Sequence, residues 1–233
     1  MGGFAGHAPI ITDGLVFYAD AGNEKSYPGT GTAWTDMVDG SNCTLTNGPT
    51  FNSSNGGSIV FDGLNDVVYD TSLDWTTLNS TFTIDVWAYP TKTNADGTLV
   101  GGQWGVGGAY GFLFYLDVGD GAYGYDFAIR TPNGLLKFGT TDPNATANDW
   151  QNVVVTYSAS EMKLYVNNNL RSTVSSPGTF NVTSTPGFGI GTETYSSTTR
   201  AFGGRIASVK IYNSYLTSDQ VAKNYNALKN RFI

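Results

Sequence analysis

The sequence predicts an all-β fold in which two antiparallel sheets form a sandwich. Short segments with alternating apolar and polar side chains recur along the 233-residue chain, as expected of half-buried strands. Thirty Gly and eight Pro suit the many turns that such strands need. One segment near the C-terminus has helical spacing instead. We therefore predict a two-sheet sandwich with one short C-terminal helix.

The chain begins with a segment that shows no periodicity. We expect residues 1–12, which include His7, the one His of the chain, to form an extended arm. The first strand is predicted at residues 15–19, and a loop rich in Gly and Pro follows it. Because no internal repeat or linker follows, residues 13–233 are expected to form a single domain.

The middle of the chain contains the clearest alternation. Residues 58–61 and 67–69 flank an acidic turn and predict a hairpin, with Asp62 and Asp66 capping backbone N–H groups in the turn. Over residues 81–89, four apolar side chains are predicted to point into the core: Phe82, Ile84, Val86 and Ala88. The same pattern predicts inward-facing rows in two further strands: Phe112, Phe114, Leu116 and Val118, then Tyr125, Phe127 and Ile129.

The last third of the chain predicts a meander and then the helix. Residues 153–157, 162–166 and 170–174 are separated by short polar turns, which indicates three antiparallel strands. Residues 203–212 form a later strand, with Ile206, Ser208, Lys210 and Tyr212 expected on one side. The helix should start at Thr217, because Thr217 and Gln220 have the spacing of a capping box and Leu216 and Val221 that of a hydrophobic staple.

Four of these segments, in this order, resemble laminin-G-like domains of the concanavalin A-like lectin and glucanase superfamily: residues 58–66, 81–90, 150–169 and 206–212 with the tail after them. The resemblance implies an antiparallel jelly-roll sandwich. It does not imply one activity, since this fold is used by lectins, glycosidases and adhesion modules. In addition, residues 18–37 resemble the start of jelly-roll proteins of marine phages.

Catalysis is not expected. Glycosidases that resemble this chain carry Glu-x-Asp-x-Glu on one strand, which places a nucleophile and an acid on the same face. The chain has three Glu, at positions 24, 161 and 193, and none lies in such a run. With one His and one Cys, a Ser-His-Asp or Cys-His arrangement has no persuasive members.

Calcium is the cofactor that the resemblance implies. Laminin-G-like domains often hold it near the rim with carboxylate and carbonyl oxygens. Asp20 and Asp36 match acidic positions of the family and are the predicted metal ligands. The acidic position of the family pattern Gly-x-Ile-Asp is occupied here by Ala207.

A ligand-binding face is predicted from the side chains opposite the apolar rows. We expect aromatic rings that stack on sugars and carboxylates that accept from hydroxyls to meet on a common face: Asp85, Trp87, Tyr115, Asp117, Asp126 and Arg130. The alternative is that loops of the chain cover Trp87 and Tyr115 as a second small core.

The net charge of −7 argues against a nucleic-acid partner or an anionic membrane surface. Without a signal peptide or an apolar run of about 20 residues, neither secretion nor membrane insertion is expected. We predict a non-catalytic interaction module of a virus particle, assembled in a host cytoplasm. It would serve as a phage head-decoration or tail-fibre component whose partners are capsid proteins, tail proteins or surface glycans, and a homo-oligomer is compatible with this. A free, extracellular carbohydrate-binding lectin is the alternative, and a glucanase-related hydrolase is the third.

Overall fold

The computed structural model describes residues 9–74, 78, 81–92, 95–102, 111–118, 124–131, 134–139, 145–175, 177–178, 187–193 and 200–233, without the side chains of residues 130, 131 and 134–138. In these ranges the strands are β1 (Leu15–Asp20), β2 (Ala33–Thr35), β3 (Asn42–Thr46), β4 (Thr50–Asn52), β5 (Ser58–Asp62), β6 (Val67–Asp70), β7 (Thr81–Pro90), β8 (Gly97–Gly102), β9 (Phe112–Asp117), β10 (Gly124–Thr131), β11 (Gly134–Gly139), β12 (Gln151–Ser158), β13 (Glu161–Val166), β14 (Asn169–Ser175), β15 (Phe188–Ile190) and β16 (Gly203–Tyr212). Helix α1 spans Ser218–Leu228, and short 3₁₀ turns span Ser54–Gly56 and Lys229–Arg231.

The strands form two antiparallel sheets of eight strands each. Sheet A has the order β14-β13-β12-β7-β16-β5-β4, and β1 pairs with the second half of β16. Sheet B has the order β11-β10-β9-β8-β15-β6-β3-β2. This arrangement confirms the predicted two-sheet sandwich with one C-terminal helix.

The main core lies between the two sheets. Its sheet A side is formed by the predicted row of β7, and its sheet B side by the predicted rows of β9 and β10, except that Val118 lies beyond the end of β9. Three residues on β13 that alternate with Lys163 and Tyr165 also enter it: Met162, Leu164 and Val166. Period-two alternation therefore identified which side of each of these strands faces inward.

The meander is confirmed, but the predicted hairpin at residues 58–69 is wrong. Val153 pairs with Val166, and β13 continues to β14, as three consecutive antiparallel strands. In contrast, β5 pairs with β4 and β16, whereas β6 pairs with β3 and β15 in the other sheet. The acidic turn connects the two sheets, and Asp62 and Asp66 accept backbone N–H groups there as expected. Turn chemistry specifies a reversal but not which strand becomes the neighbour.

A β-bulge in β16 corrects the predicted phase of that strand. The register with β7 shifts between Ile206 and Ser208. As a result Ile206 faces the main core together with Val209 and Ile211, not with Ser208 as predicted. A bulge inserts one extra residue into a strand, so the alternation changes sides there.

Helix α1 packs on the outer face of sheet A. The Thr217 hydroxyl accepts from the Gln220 N–H, and the Gln220 side chain accepts from the Thr217 N–H, which confirms the capping box. Leu216 and Val221 are buried in one cluster, as the predicted staple requires. In the described ranges, no helix has the length and apolar character required to cross a membrane.

Candidate functional site

The six side chains predicted to share one face do not do so. Asp85 and Trp87 lie on β7 in sheet A, on the side away from the main core. Tyr115 and Asp117 on β9, with Asp126 on β10, lie on the outer side of sheet B. The two sheets pack through their inner faces, so these groups are on opposite sides of the sandwich. The common face is therefore wrong: alternation gives the side of a strand but not the sheet that the strand joins.

The outer face of sheet A is covered by the C-terminal part of the chain. The Trp87 ring is 0% exposed and stacks on Phe232, with ring centroids 4.3 Å apart, and on Tyr225, with centroids 5.7 Å apart. Trp150 and Ala207 complete this small cluster. For Trp87 the alternative interpretation, a second small core, is the one that the contacts favour.

Asp85 is equally buried, in a polar network beneath α1. Its carboxylate accepts from Asn152 Nδ2 at 2.7 Å and from Asn224 Nδ2 at 3.2 Å. The Lys210 ammonium lies 3.6 Å away and is also fully buried. Asn224 in turn accepts from the Ile11 N–H, which connects the helix to the segment before β1. Asp85 therefore connects α1 and β12 to β7 through hydrogen bonds and is not available to a ligand.

The predicted calcium ligands are engaged by the protein itself. Both Asp20 carboxylate oxygens accept from Arg231 Nη1, at 2.9 and 2.7 Å. One oxygen of Asp36 accepts from the N–H groups of Tyr18 and Val38, and burial raises the pKa of Asp36 to about 6. Among the residues that the structure describes, no group of three or more His, Cys, Asp or Glu side chains could hold a metal ion. A hard cation needs six to eight oxygen ligands, and this donor set does not fit it. Calcium binding stays a prediction.

The outer face of sheet B brings the other predicted residues together. Tyr115 lies between Thr98 on β8 and Asp126 on β10 in one cross-strand row. Asp117 follows two residues along β9, roughly 7 Å diagonally from Asp126. Gly139, opposite Asp126, leaves room for its carboxylate, which a side chain at that position would meet. Arg130 is further along β10, with its side chain outside the described part.

Arg200 adds a cation to this face. Its guanidinium lies 5.9 Å from the centre of the Tyr115 ring, within the range of a cation–π contact. Its Nε donates to Asp96 at 3.1 Å, and its Nη1 donates to Glu193. Burial alone would lower the pKa of Arg200, but the hydrogen bonds and charges of Glu193 and Asp96 outweigh it and raise the pKa. The guanidinium is therefore permanently charged.

We call this region the Tyr115 face, and it consists of Thr98, Tyr115, Asp117 and Asp126, with Asp96, Glu193 and Arg200 beside them. Tyr115 is 6% exposed and packs with Leu113 and Ala128 in a small buried cluster, as in the alternative of a second small core, and the charged groups lie around it. Sequence reasoning missed Asp96, Thr98, Glu193 and Arg200. They lie on loops or at a strand end, and only the pairing of β8 with β9 and with the segment at Arg200 brings them together. No local pattern signals that.

A concavity lies at the edge of sheet A. It has a volume of about 260 Å³ and is lined by residues including Tyr27, Phe51, Glu24 and Ser53. Tyr27 and Phe51 pack with ring centroids 5.4 Å apart, and the Tyr27 hydroxyl already donates to the Gly31 carbonyl. This pocket offers fewer polar groups than the Tyr115 face.

The fold agrees with a family comparison. Residues 61–222 match the family described as Laminin_G_3, concanavalin A-like lectin/glucanases superfamily. The chain belongs to this superfamily. The predicted resemblance is thereby confirmed for the fold, whereas the likeness to phage proteins stays a prediction. No curated protein matches the sequence of this chain.

Solved structures with the same fold include sugar complexes. Domain 4 of AbnA, an extracellular GH43 arabinanase of Geobacillus stearothermophilus, was solved with arabinotriose; it is 14% identical, with TM-score 0.67 and coverage of 91% of this chain and 98% of that one. The CBM40 of the Ruminococcus gnavus IT-sialidase, bound to α2,3 sialyllactose, is 18% identical, with TM-score 0.57 and coverage of 70% and 93%. The receptor binding domain of botulinum neurotoxin C/D mosaic serotype is 15% identical, with TM-score 0.67 and coverage of 92% and 51%, so this chain spans about half of it.

Proposed function

We propose that the chain is a non-catalytic carbohydrate-binding module and that it binds glycans at the Tyr115 face. The observation that carries this proposal is the combination of groups on one sheet face. An aromatic ring lies among carboxylates that accept from sugar hydroxyls and a guanidinium that donates to them. The structures solved with arabinotriose and sialyllactose support this, since the same fold binds sugars in those proteins.

The absence of catalysis is part of the proposal. The three glutamates of the chain lie apart and in different settings: Glu24 is exposed in a loop, Glu161 pairs with Lys163, and Glu193 pairs with Arg200. Glycosidases need two carboxylates held across one bond, about 5 to 9.5 Å apart. The glutamates supply no such pair. Asp117 and Asp126, roughly 7 Å apart across two strands, are a carboxylate pair at this separation, and we propose that they bind sugar hydroxyls without cleaving the glycan.

The test is glycan binding with matched charge-neutral variants. We expect Asp117→Asn and Asp126→Asn to weaken binding of a captured oligosaccharide at least about tenfold, because a hydrogen bond to a charged group contributes about 1.5–3 kcal/mol. Asp219→Asn is the control, since it removes an exposed carboxylate in the first turn of α1. Equal loss in the control, or no binding of any glycan in an array, would contradict the proposal. New reducing ends in the incubated oligosaccharide would reveal hydrolysis and contradict its non-catalytic part.

Location on a virus particle is a separate prediction that rests on the resemblance of residues 18–37 to phage proteins. Electron microscopy of purified particles, labelled with an antibody against the chain, should show label on the head or tail. Label found only in the particle-free fraction would favour the alternative of a free lectin.

A further inference from the structure

We infer that the Tyr115 face selects neutral glycans over glycans that carry a carboxylate. This inference rests on the proposed function and specifies its ligand class. The two sugar complexes of the same fold contain one ligand of each kind, arabinotriose and sialyllactose, so the fold alone does not decide between them. The side chains on the face do.

The charges on the Tyr115 face are mostly negative. Four carboxylates, Asp96, Asp117, Asp126 and Glu193, are opposed by the single guanidinium of Arg200 among the face's described side chains. A sialic acid would add a fifth carboxylate, and like charges in a partly desolvated site repel each other strongly. A neutral sugar instead presents hydroxyl groups, and carboxylates accept hydrogen bonds from them.

The guanidinium of Arg200 is already paired with two carboxylates of the protein. Arginine recognises carboxylates best through two parallel N–H donors, either Nε with one Nη or both Nη groups. At Arg200, Nε donates to Asp96 and Nη1 donates to Glu193. The edge formed by Nε and one Nη has therefore lost a donor to Asp96, and a ligand carboxylate at the other edge would meet Nη1 beside the Glu193 carboxylate, which repels it.

A buried hydroxyl on the same row indicates an uncharged polar partner. Thr98 is 0% exposed, and its Oγ1 has no hydrogen-bond partner among the described residues. Its pairing with Tyr115 places it on the outer side of sheet B. Buried polar atoms are nearly always hydrogen-bonded, so an orphaned hydroxyl at a candidate site points to a missing partner. A sugar hydroxyl can donate to it or accept from it.

Two cationic positions lie further along the sheet. Arg130 is four residues beyond Asp126 on β10, about 13 Å along the strand, and Lys137 pairs with Ala128. They are outside the row of Thr98, Tyr115 and Asp126. Substituting each of them tests whether a cation elsewhere on the sequence of these strands holds an anionic glycan.

The experiment compares affinities for lactose, arabinotriose and α2,3 sialyllactose by titration calorimetry at low salt. We expect at least one neutral glycan to bind ten or more times more tightly than sialyllactose. Tighter binding of sialyllactose would overturn the inference and leave the proposed function intact, and loss of that binding in Arg130→Gln or Lys137→Gln would locate the anion site. If none of the glycans, nor any in a wider array, binds, the proposed function fails and the inference with it.

A charge variant tests the cause. The double substitution Asp96→Asn with Glu193→Gln removes two negative charges and leaves Arg200 without an ionic partner among these two side chains. It should lower the preference for neutral glycans at least fivefold, whereas Asp219→Asn should leave the preference unchanged. Thermal unfolding of each variant shows whether it is folded. A folded double variant with unchanged preference would overturn the electrostatic explanation.

Discussion

The outer faces of the two sheets are built from strands with the same alternation, yet the rest of the chain covers them differently. On sheet A, α1 and the residues after it bury Trp87 and Asp85 completely. On sheet B, Tyr115 packs with Leu113 and Ala128 in a small buried cluster, and the charged side chain of Arg200, ion-paired with Asp96 and Glu193, lies over its ring. An apolar cover belongs to the folded core, whereas an ionic cover can exchange hydrogen bonds with a polar ligand.

This difference separates stability from binding. Substitutions under α1 should change the free energy of unfolding, and substitutions on the Tyr115 face should mainly change affinity. Four substitutions test the expected changes in the free energy of unfolding, from the largest to the smallest.

The largest effect is expected at Trp87. Trp87→Ala removes a fully buried ring that stacks on Phe232 and Tyr225, and should destabilise the protein by about 3–5 kcal/mol. Urea unfolding measures this, with Leu64→Ala as control, because Leu64 is exposed and should change stability by less than about 0.5 kcal/mol. A folded Trp87→Ala protein of normal stability that had lost glycan binding would reverse the roles of the two faces.

Lys210 tests the buried network beside that ring. Lys210→Met leaves the Asp85 carboxylate buried without its cation and should cost about 3–5 kcal/mol. Adding Asp85→Asn removes the uncompensated charge, so the double variant should regain most of the loss. Chemical unfolding of the three proteins checks this. Additive losses would mean that the two side chains do not act as a pair.

Asp36 gives a pH-dependent effect at the margin of sheet A, where it accepts from the Tyr18 N–H of β1. Burial raises its pKa to about 6, so the folded state binds a proton more readily than the unfolded state. Its contribution to stability is therefore fully present below pH about 4 and is lost as the pH rises through about 6. Between pH 4 and pH 7, the free energy of unfolding of the parent protein should fall by on the order of 1 to 3 kcal/mol relative to that of Asp36→Asn. Parallel pH profiles of the two proteins would contradict this.

The smallest effect is expected at the start of α1. Thr217→Ala removes the side chain that accepts from the Gln220 N–H and should cost about 1 kcal/mol. Thr217→Ser keeps a hydroxyl and is the matched control. If amides of residues 221–228 exchange freely in the parent protein, the helix does not cover sheet A and the comparison of the two faces fails.

Much of the fold could be predicted from the sequence, because the signals for it are local. The inward row of β7, the meander and the capping box at Thr217 depend on alternation, turn residues and spacing within a few positions. The phase of β16 could not be predicted, since a bulge leaves no clear mark in composition. The hairpin at residues 58–69 was wrong for a different reason, since the pairing partners of a strand depend on the whole sheet and not on the turn beside it.

The candidate site was predictable only in part. Tyr115, Asp117 and Asp126 follow from alternation, but their separation from Trp87 depends on which sheet each strand joins. Arg200 and Thr98 meet because the Thr98 N–H donates to the Arg200 carbonyl, a contact across about a hundred residues. Glycan binding, calcium at Asp20 and Asp36, and location on a virus particle stay predictions.

The central claim is that ligands meet the sheet B face and not the covered sheet A face. The most direct measurement is a titration of the ¹⁵N-labelled protein with a glycan from the array that binds, followed by amide chemical shifts. The account predicts shifts at residues 96–98, 113–117, 124–128, 193 and 200, with those of α1 unchanged. Shifts confined to α1 and β7, or to the pocket at Tyr27 and Phe51, would contradict it.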